Sequence, residues 1–379
     1  MREIREVTVY SPGDSELLST WSNVPYFFTK TLMAKGVKVN RVNINPPRLL
    51  EEFYDRTWWR VVNKLLPGGF FTKYLHSIFH HRHMNRRIAA AVKAHPSSDA
   101  HIFLTFSHSA TAFTDAPSIL FCDWTIDYYF KYFLNRAPRS FEEGTRRRQD
   151  KIIEEADLVI SLFPGVTDYL KEYYRNPNIV YLGNVVNSEL SVPAEEVIAK
   201  KERSVDILFI GNRKYVEGAN TLIRAYKLLR ERIPGLRVHI IGMEAKYLEE
   251  APEGVICYGY LDKSKEEERA KYYALMQGAK VVVNTTEKWG AFSSTIESMY
   301  FYNPVITTPY KEFTQTFGET IEFGYYCKPN SDELLCEALE KLFRDPGYKE
   351  MCLKAHAAVR PFTWDAYIET VLTSIRKIS

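Results

Sequence analysis

Short apolar runs separated by helix-length stretches of mixed polarity recur along the chain. In the first half the runs are 6–12 (EVTVYSP), 37–44 (VKVNRVNI), 101–106 (HIFLTF), 118–122 (SILFC), 157–163 (DLVISLF) and 178–182 (NIVYL). Each is short, rich in β-branched and aromatic residues, and reads as a buried strand. Ser22 or Asn23, just before Pro25, is placed to begin the first helix, and Gly36 to end it. The apolar runs fade and charge increases over 188–204, and the alternation restarts at 206–212 (DILFIGN), so the domain boundary is placed there. Beyond it the pattern predicts a helix near 218–233, strands at 236–243 and 254–261, a helix near 266–278, and strands at 280–286 and 304–310 on either side of another helix. This is α/β alternation, which predicts two doubly wound domains facing across a cleft, with ligands at the carboxyl ends of the strands.

Composition narrows the picture. A chain of 379 residues, at about 150 per domain, holds two to three domains. Hydrophobic residues at 45% and charged residues at 26% exclude a disordered or fibrous chain. A formal charge of +3 calls for neither nucleic acid nor an acidic partner. The five cysteines form no CxxC pair and are too sparse to staple a chain this long, so they read as reduced thiols in a cytosolic protein. The first ten residues do not make a secretory signal. No uncharged apolar stretch approaches the ~18 residues that span a bilayer, so membrane contact is expected to be peripheral.

The most informative segment is 280–310, KVVVNTTEKWGAFSSTIESMYFYNPVITTPY. Here a strand runs into a loop holding Glu287, Trp289 and Gly290, and then into a helix. Phe292, Ser293 and Ser294 lie at the helix start, where free amides and the positive end of the dipole suit a phosphate. Glu297, one turn in, is placed to accept hydroxyl protons from a ribose. A capping box formed by Ser294 and Glu297 is the structural alternative.

This segment resembles the signature of retaining glycosyltransferases of family four, which have the GT-B fold of two Rossmann-like domains. In that family a Glu-x-Phe-Gly loop precedes a helix bearing a second Glu, then a Met and Pro-Val-Ile. Glu287, Trp289, Gly290, Glu297, Met299 and Pro304-Val305-Ile306 match, although nine residues separate the two acids, two more than usual. The resemblance implies that Glu297 holds the donor ribose, Glu287 contacts the donor sugar, and the amides of 292–294 meet the diphosphate. The family's leaving-group site has Gly-Arg after the domain's first strand and Lys-Gly at the next helix. Here the residues are Gly211-Asn212 and Glu217-Gly218, with Arg213 and Lys214 just beyond as the available cations. In the first domain, FCDWTIDYYF (121–130) resembles the family's acceptor side and nominates Asp123 as the polar group near the acceptor hydroxyl, with helix capping by Asp123 or Asp127 as the alternative. His108 ends a strand and is a further acceptor-side candidate with Ser22 and Asn23, which stand where the family has a glycine loop. The terminal segment 362–379 resembles a helix that crosses back onto the first domain.

The resemblance implies a domain plan of 1–190 (acceptor side), 204–361 (nucleotide sugar) and 362–379 (crossing helix). It implies a retaining transferase that moves a sugar from a nucleoside diphosphate to a hydroxyl of a glycan or lipid-linked acceptor, in cell-surface glycan or glycolipid synthesis, without a cofactor. No two Asp residues lie two apart, so the Asp-x-Asp metal-nucleotide element is absent and metal independence is expected. A catalytically degenerate membrane-associated partner, motivated by Asn212 and Glu217, and a nucleotide-sugar epimerase are the alternatives.

From Arg56 to Ser98 there are eight Lys/Arg residues and no Asp or Glu, leaving the rest of the chain at −5. Trp58, Trp59, Arg60, Lys64, Phe70 and Phe71 are interleaved there, as in a helix lying on an anionic membrane surface. Peripheral docking on the inner membrane face is therefore expected. The absence of any nucleic-acid-binding motif argues against that partner. His76, His80, His81 and His83 lack a nearby carboxylate or Cys, so no metal site is assigned to them.

Overall fold

The apolar runs form strands in which consecutive residues are buried, as in Val7 to Ser11 and Ile119 to Phe121. Burial without alternation means that both faces of each sheet are covered by helices. The structure, a computed structural model, describes residues 3–65, 73–188, 190–287 and 292–378. Its contacts divide the chain into two units, Met1–Gly183 with Trp364–Ser379, and Asn184–Thr363.

The first unit contains β1 (Glu6–Ser11), β2 (Lys38–Asn43), β3 (Ala100–Phe103), β4 (Ser118–Cys122), β5 (Leu158–Ser161) and β6 (Ile179–Tyr181). They form one parallel sheet in the order β2-β1-β3-β4-β5-β6. The second unit contains β7 (Asp206–Ile210), β8 (Arg237–Ile241), β9 (Val255–Gly259), β10 (Val281–Asn284), β11 (Val305–Thr307) and β12 (Gly324–Tyr326). Its parallel order, β12-β11-β10-β7-β8-β9, is the Rossmann order read from one edge. The strand order reverses between β1 and β3 in one sheet and between β7 and β10 in the other. Crevices for ligands open at such points.

Three local features depart from the sequence expectations. The polar stretch 188–204 contains the helix Ala194–Glu202, which buries Val197, Ile198 and Lys201 and belongs to the second unit. Lys201 Nζ donates to the carbonyls of Met276 (2.7 Å) and Ala279 (3.1 Å) and to Asn303 Oδ1 (2.7 Å). Burial pushes its pKa down to about 7. Asn23 stands at the N-cap of the first helix, Val24–Ala34, but its side chain makes no cap hydrogen bond. Trp21, Ser22 and Asn23 instead lie at φ 34°, 54° and 71°, and the Asn23 amide donates to the Leu18 carbonyl. Left-handed backbone costs a non-glycine residue about 1 kcal/mol or more. Gly36 does end the helix, at φ +82°, with Val37 N–H returning to the Leu32 carbonyl in a Schellman turn. The strand β12 and the helices Asp332–Arg344 and Tyr348–Val359 have no counterpart among the sequence expectations.

The terminal helix Trp364–Ile378 packs on Val24–Ala34 within the first unit. Trp364 lies 6.2 Å from the Phe27 ring and 6.1 Å from that of Phe28, and Lys35 pairs with Asp365 at 2.9 Å. Val186 N–H donates to the Phe362 carbonyl, so two segments close to the unit boundaries are bonded side by side.

Candidate functional site

In the second unit, small residues let backbone segments converge where β7 and β10 part. Gly242, at φ +96°, ends β8, and a Cβ there would stand 2.6 Å from the Gly211 carbonyl at the end of β7. Gly242 N–H donates to the Gly259 carbonyl at 2.7 Å, closing the third strand end onto the other two. In the helix Val216–Leu229, a Cβ on Gly218 would lie 2.7 Å from Thr286 Oγ1 and 3.0 Å from its amide nitrogen, so the helix start presses on the end of β10. The hydroxyls of Thr285 and Thr286 are buried at this seam without a hydrogen-bond partner.

The helix Ser293–Tyr300 begins just beyond. Phe292 precedes it, buried against Phe313 and Phe317, while Ser293 and Ser294 are half-exposed. Phe292, its N-cap residue, makes no side-chain cap hydrogen bond, and the structural alternative, a capping box of Ser294 and Glu297, does not form. Glu297 instead turns into the protein, 3% exposed, and accepts from Lys263 Nζ at 2.7 and 2.9 Å and from the Tyr272 hydroxyl at 3.0 Å. Burial, reinforced by the Glu297 charge, holds the Tyr272 hydroxyl well above the usual tyrosine pKa. Sequence reasoning had missed Lys263 and Tyr272; the only signal was a Lys past β9 followed by a helix rich in Tyr. Glu287 is exposed, and Trp289 and Gly290 lie outside the described residues. Asn212 is exposed and accepts from Lys214 N–H at 3.0 Å, while the Arg213 guanidinium lies 4.5 Å from the Tyr247 ring. Arg213 and Lys214 are both exposed.

In the first unit, Asp123 directly follows β4 and accepts from Trp124 N–H at 2.9 Å and from the Cys122 thiol at 3.1 Å. Neither Asp123 nor Asp127 caps the helix Ile126–Tyr132. Thr125 does so, accepting from Tyr128 N–H at 3.0 Å, and Asp127 is held within the helix by Lys131 at 3.0 Å and by the Tyr169 hydroxyl. Ser22 and Asn23 follow β1. His108 follows β3 but is buried, its ring 5.6 Å from that of His80 and 5.8 Å from that of His81. It therefore faces the start of the helix Ile78–Ala94.

The expected membrane segment, 56–98, begins in a wide π-type turn, Asp55–Trp59, that follows the helix Arg48–Tyr54, and continues into the helices Arg60–Leu65 and Ile78–Ala94. Leu49, Phe53, Trp58, Val61 and Leu65 are exposed among exposed Arg56, Arg60 and Lys64, with Trp58 57% exposed. Trp59 is half-buried beneath Lys73 Nζ, 4.9 Å from its ring. Phe70 and Phe71 lie outside the described residues. Among the described residues, no helix is long and apolar enough to cross a membrane, and no group of three His, Cys, Asp or Glu is placed to hold a metal ion.

Residues 194–359 match the family model described as glycosyl transferases group 1. The match covers most of the second unit, including the seam around Gly211 and the helix bearing Glu297. Solved structures similar over the whole chain share the GT-B fold of two Rossmann-like domains. HepE of Anabaena, solved with UDP and glucose, is 14% identical with a TM-score of 0.61, covering 99% of this chain and 100% of its own. Sucrose-phosphate synthase of Thermosynechococcus elongatus is 16% identical with a TM-score of 0.65, covering 99% of both chains. A glycosyltransferase of Rickettsia africae is 15% identical with a TM-score of 0.62, covering 100% of this chain and 99% of its own. Among curated proteins, no sequence matches the chain.

Proposed function

We propose that this protein is a retaining, metal-independent glycosyltransferase that moves a sugar from a nucleoside diphosphate to a hydroxyl acceptor. The observation that carries the reading is the buried Glu297 beside a helix start at the switch point of a Rossmann-ordered sheet, inside the segment that matches the glycosyl transferases group 1 model. Lys263 and Tyr272 hold the carboxylate in one orientation. The ribose hydroxyls donate to it, and the diphosphate meets the amides of 292–294, where partial positive charge is greatest. The leaving group develops negative charge as the glycosidic bond breaks, and positioned donors and cations lower that barrier. Arg213 and Lys214 supply the cations in place of the residues that Asn212 and Glu217 replace. Glu287 with Trp289 and Gly290 contacts the donor sugar.

The acceptor hydroxyl attacks the anomeric carbon on the face the diphosphate leaves, and a departing phosphate oxygen takes its proton. Retention then requires neither a covalent enzyme intermediate nor a strong base. Asp123 orients the acceptor hydroxyl. The exposed Leu49, Phe53, Trp58 and Leu65 beside Arg60 and Lys64 support docking on an anionic inner leaflet, next to a glycan or lipid-linked acceptor used in cell-surface synthesis.

A thermal-shift screen of nucleotide sugars selects the donor, and NMR of the product then reads the anomeric configuration. The expected result is transfer with retention, unchanged by EDTA. Inversion, turnover without an acceptor, or loss of activity on chelation restored by manganese overturns it.

A further inference from the structure

The first unit holds a polar recess of its own, about 310 Å³ counting its open mouth. Ser77, His80 and His81 at the start of the helix Ile78–Ala94, Ser107 and His108 after β3, and Arg148 on the helix Ser140–Glu155 line it. His80 is 1% exposed with both ring nitrogens unpartnered, and His108 is 5% exposed with Nδ1 unpartnered. Leaving such groups buried and unmade costs about 1–3 kcal/mol each. Three orphan nitrogens in one recess therefore point to a missing ligand.

The surrounding charge fixes that ligand's sign. Among the described residues no Asp or Glu lines the recess. Arg148 donates to the His76 carbonyl at 2.7 Å and to Thr145 Oγ1 at 3.0 Å. The 17-residue helix Ile78–Ala94 opens here, with Ser77 as its cap, and presents the positive end of its dipole. A metal cation fits poorly. Arg148 opposes it, no thiolate or carboxylate is at hand, and His81 and His108 stack nearly parallel, at 15°, with a His81 nitrogen engaged by Asn85.

We infer that this recess binds a phosphate-class oxyanion through His80 and His108, with Arg148 and the helix start supplying positive charge. In the free protein the rings are neutral. Burial, with His81, His83 and Arg87 nearby, lowers His80 to about 4; burial, with His80, His81 and Arg148, lowers His108 to about 3. His76, which Lys73 also faces, is lowered to about 4. An anion reverses the local sign, so the rings take up protons as it binds. Leu75 lines the recess and is exposed, and the exposed Ile78 and Phe79 follow close behind it in the chain, apolar surface that suits a phosphoryl group carried on an apolar body. The inference does not depend on the proposed sugar transfer, because its test reads binding without turnover.

The test is a titration of the ¹⁵N-labelled full chain near neutral pH with sodium phosphate or hexyl phosphate, against matched sodium chloride, recording the imidazole nitrogens. Saturable movement of the His80 and His108 signals toward the doubly protonated range, absent with chloride, is expected. His80→Gln and His108→Asn assign the signals, and each should weaken binding about tenfold. Tighter binding of hexyl phosphate identifies an amphipathic phosphoryl ligand, and exclusion of hexyl phosphate while phosphate saturates identifies the free ion. No saturable shift with either probe, or stoichiometric capture of the same nitrogens by zinc while phosphate leaves them unmoved, overturns the inference. If the variants do not fold, the wild-type titration decides by itself.

Discussion

At the switch point of the second sheet, Gly211, Gly218 and Gly242 bring backbone into close contact, and one buried acid, Glu297, is held by Lys263 and Tyr272. At the switch point of the first sheet, the loop after β1 carries Trp21, Ser22 and Asn23 in left-handed conformations, and the loop after β3 leads to the buried His108 against two further histidines. Glycine, amide and helix-end chemistry suits a diphosphate in any protein that binds one. Crowded, strained side chains suit one particular partner. The family match, confined to 194–359, falls on the generic side of this contrast.

The sharpest way to break the contrast is Glu297→Gln. It removes the carboxylate proposed to hold the ribose and leaves Lys263 facing a neutral amide, so transfer should fall about a hundredfold, read as kcat/KM for the donor. Unchanged kinetics would mean that the second switch point is no donor site. Next, Arg60→Gln with Lys64→Gln should weaken binding to phosphatidylserine vesicles by about 2 kcal/mol at ~1 kcal/mol per base, with no change on neutral vesicles. Cosedimentation measures this, and equal loss on both vesicle types would assign the effect to folding. Gly218→Ala, forced against Thr286, should cost about 1–2 kcal/mol in urea unfolding. Gly278→Ala, which meets only the flexible end of Lys200 at 3.8 Å, serves as the neutral control.

A separate effect is one of pH. Lys201 titrates at about 7 in the fold against an ordinary value of 10.5, so the unfolded chain binds more protons between those values and stability rises with pH across that window. Below about 7 the penalty is fully present. Lys201→Met should abolish its share of this slope, read as the difference between wild-type and variant urea midpoints from pH 7 to 10.

Much of the fold was legible because buried parallel strands must be apolar runs; every run read as a strand overlaps an observed one. The helix Ala194–Glu202 was not, because Glu195, Glu196, Lys200 and Lys201 hide a narrow apolar face of Val197 and Ile198. The strand β12 is too short, at three residues, to stand out. At the candidate site, Glu297 was visible from its place one turn into a helix. Its partners Lys263 and Tyr272 were not, since they arrive from 34 and 25 residues away through the topology of the sheet. Capping by Asp123 or Asp127 stood as the alternative from sequence because their residue type favours that role, yet Thr125 is better placed. The histidine recess gathers segments from three regions that no local pattern connects.

The most direct test of the proposed donor site is hydrogen exchange of the intact protein with UDP, GDP or ADP. Slowed exchange at amides 211–214 and 292–297 with one of the three, lost in Glu297→Gln, is the predicted result. Unchanged exchange there with all three, or protection confined to the first unit, would contradict it.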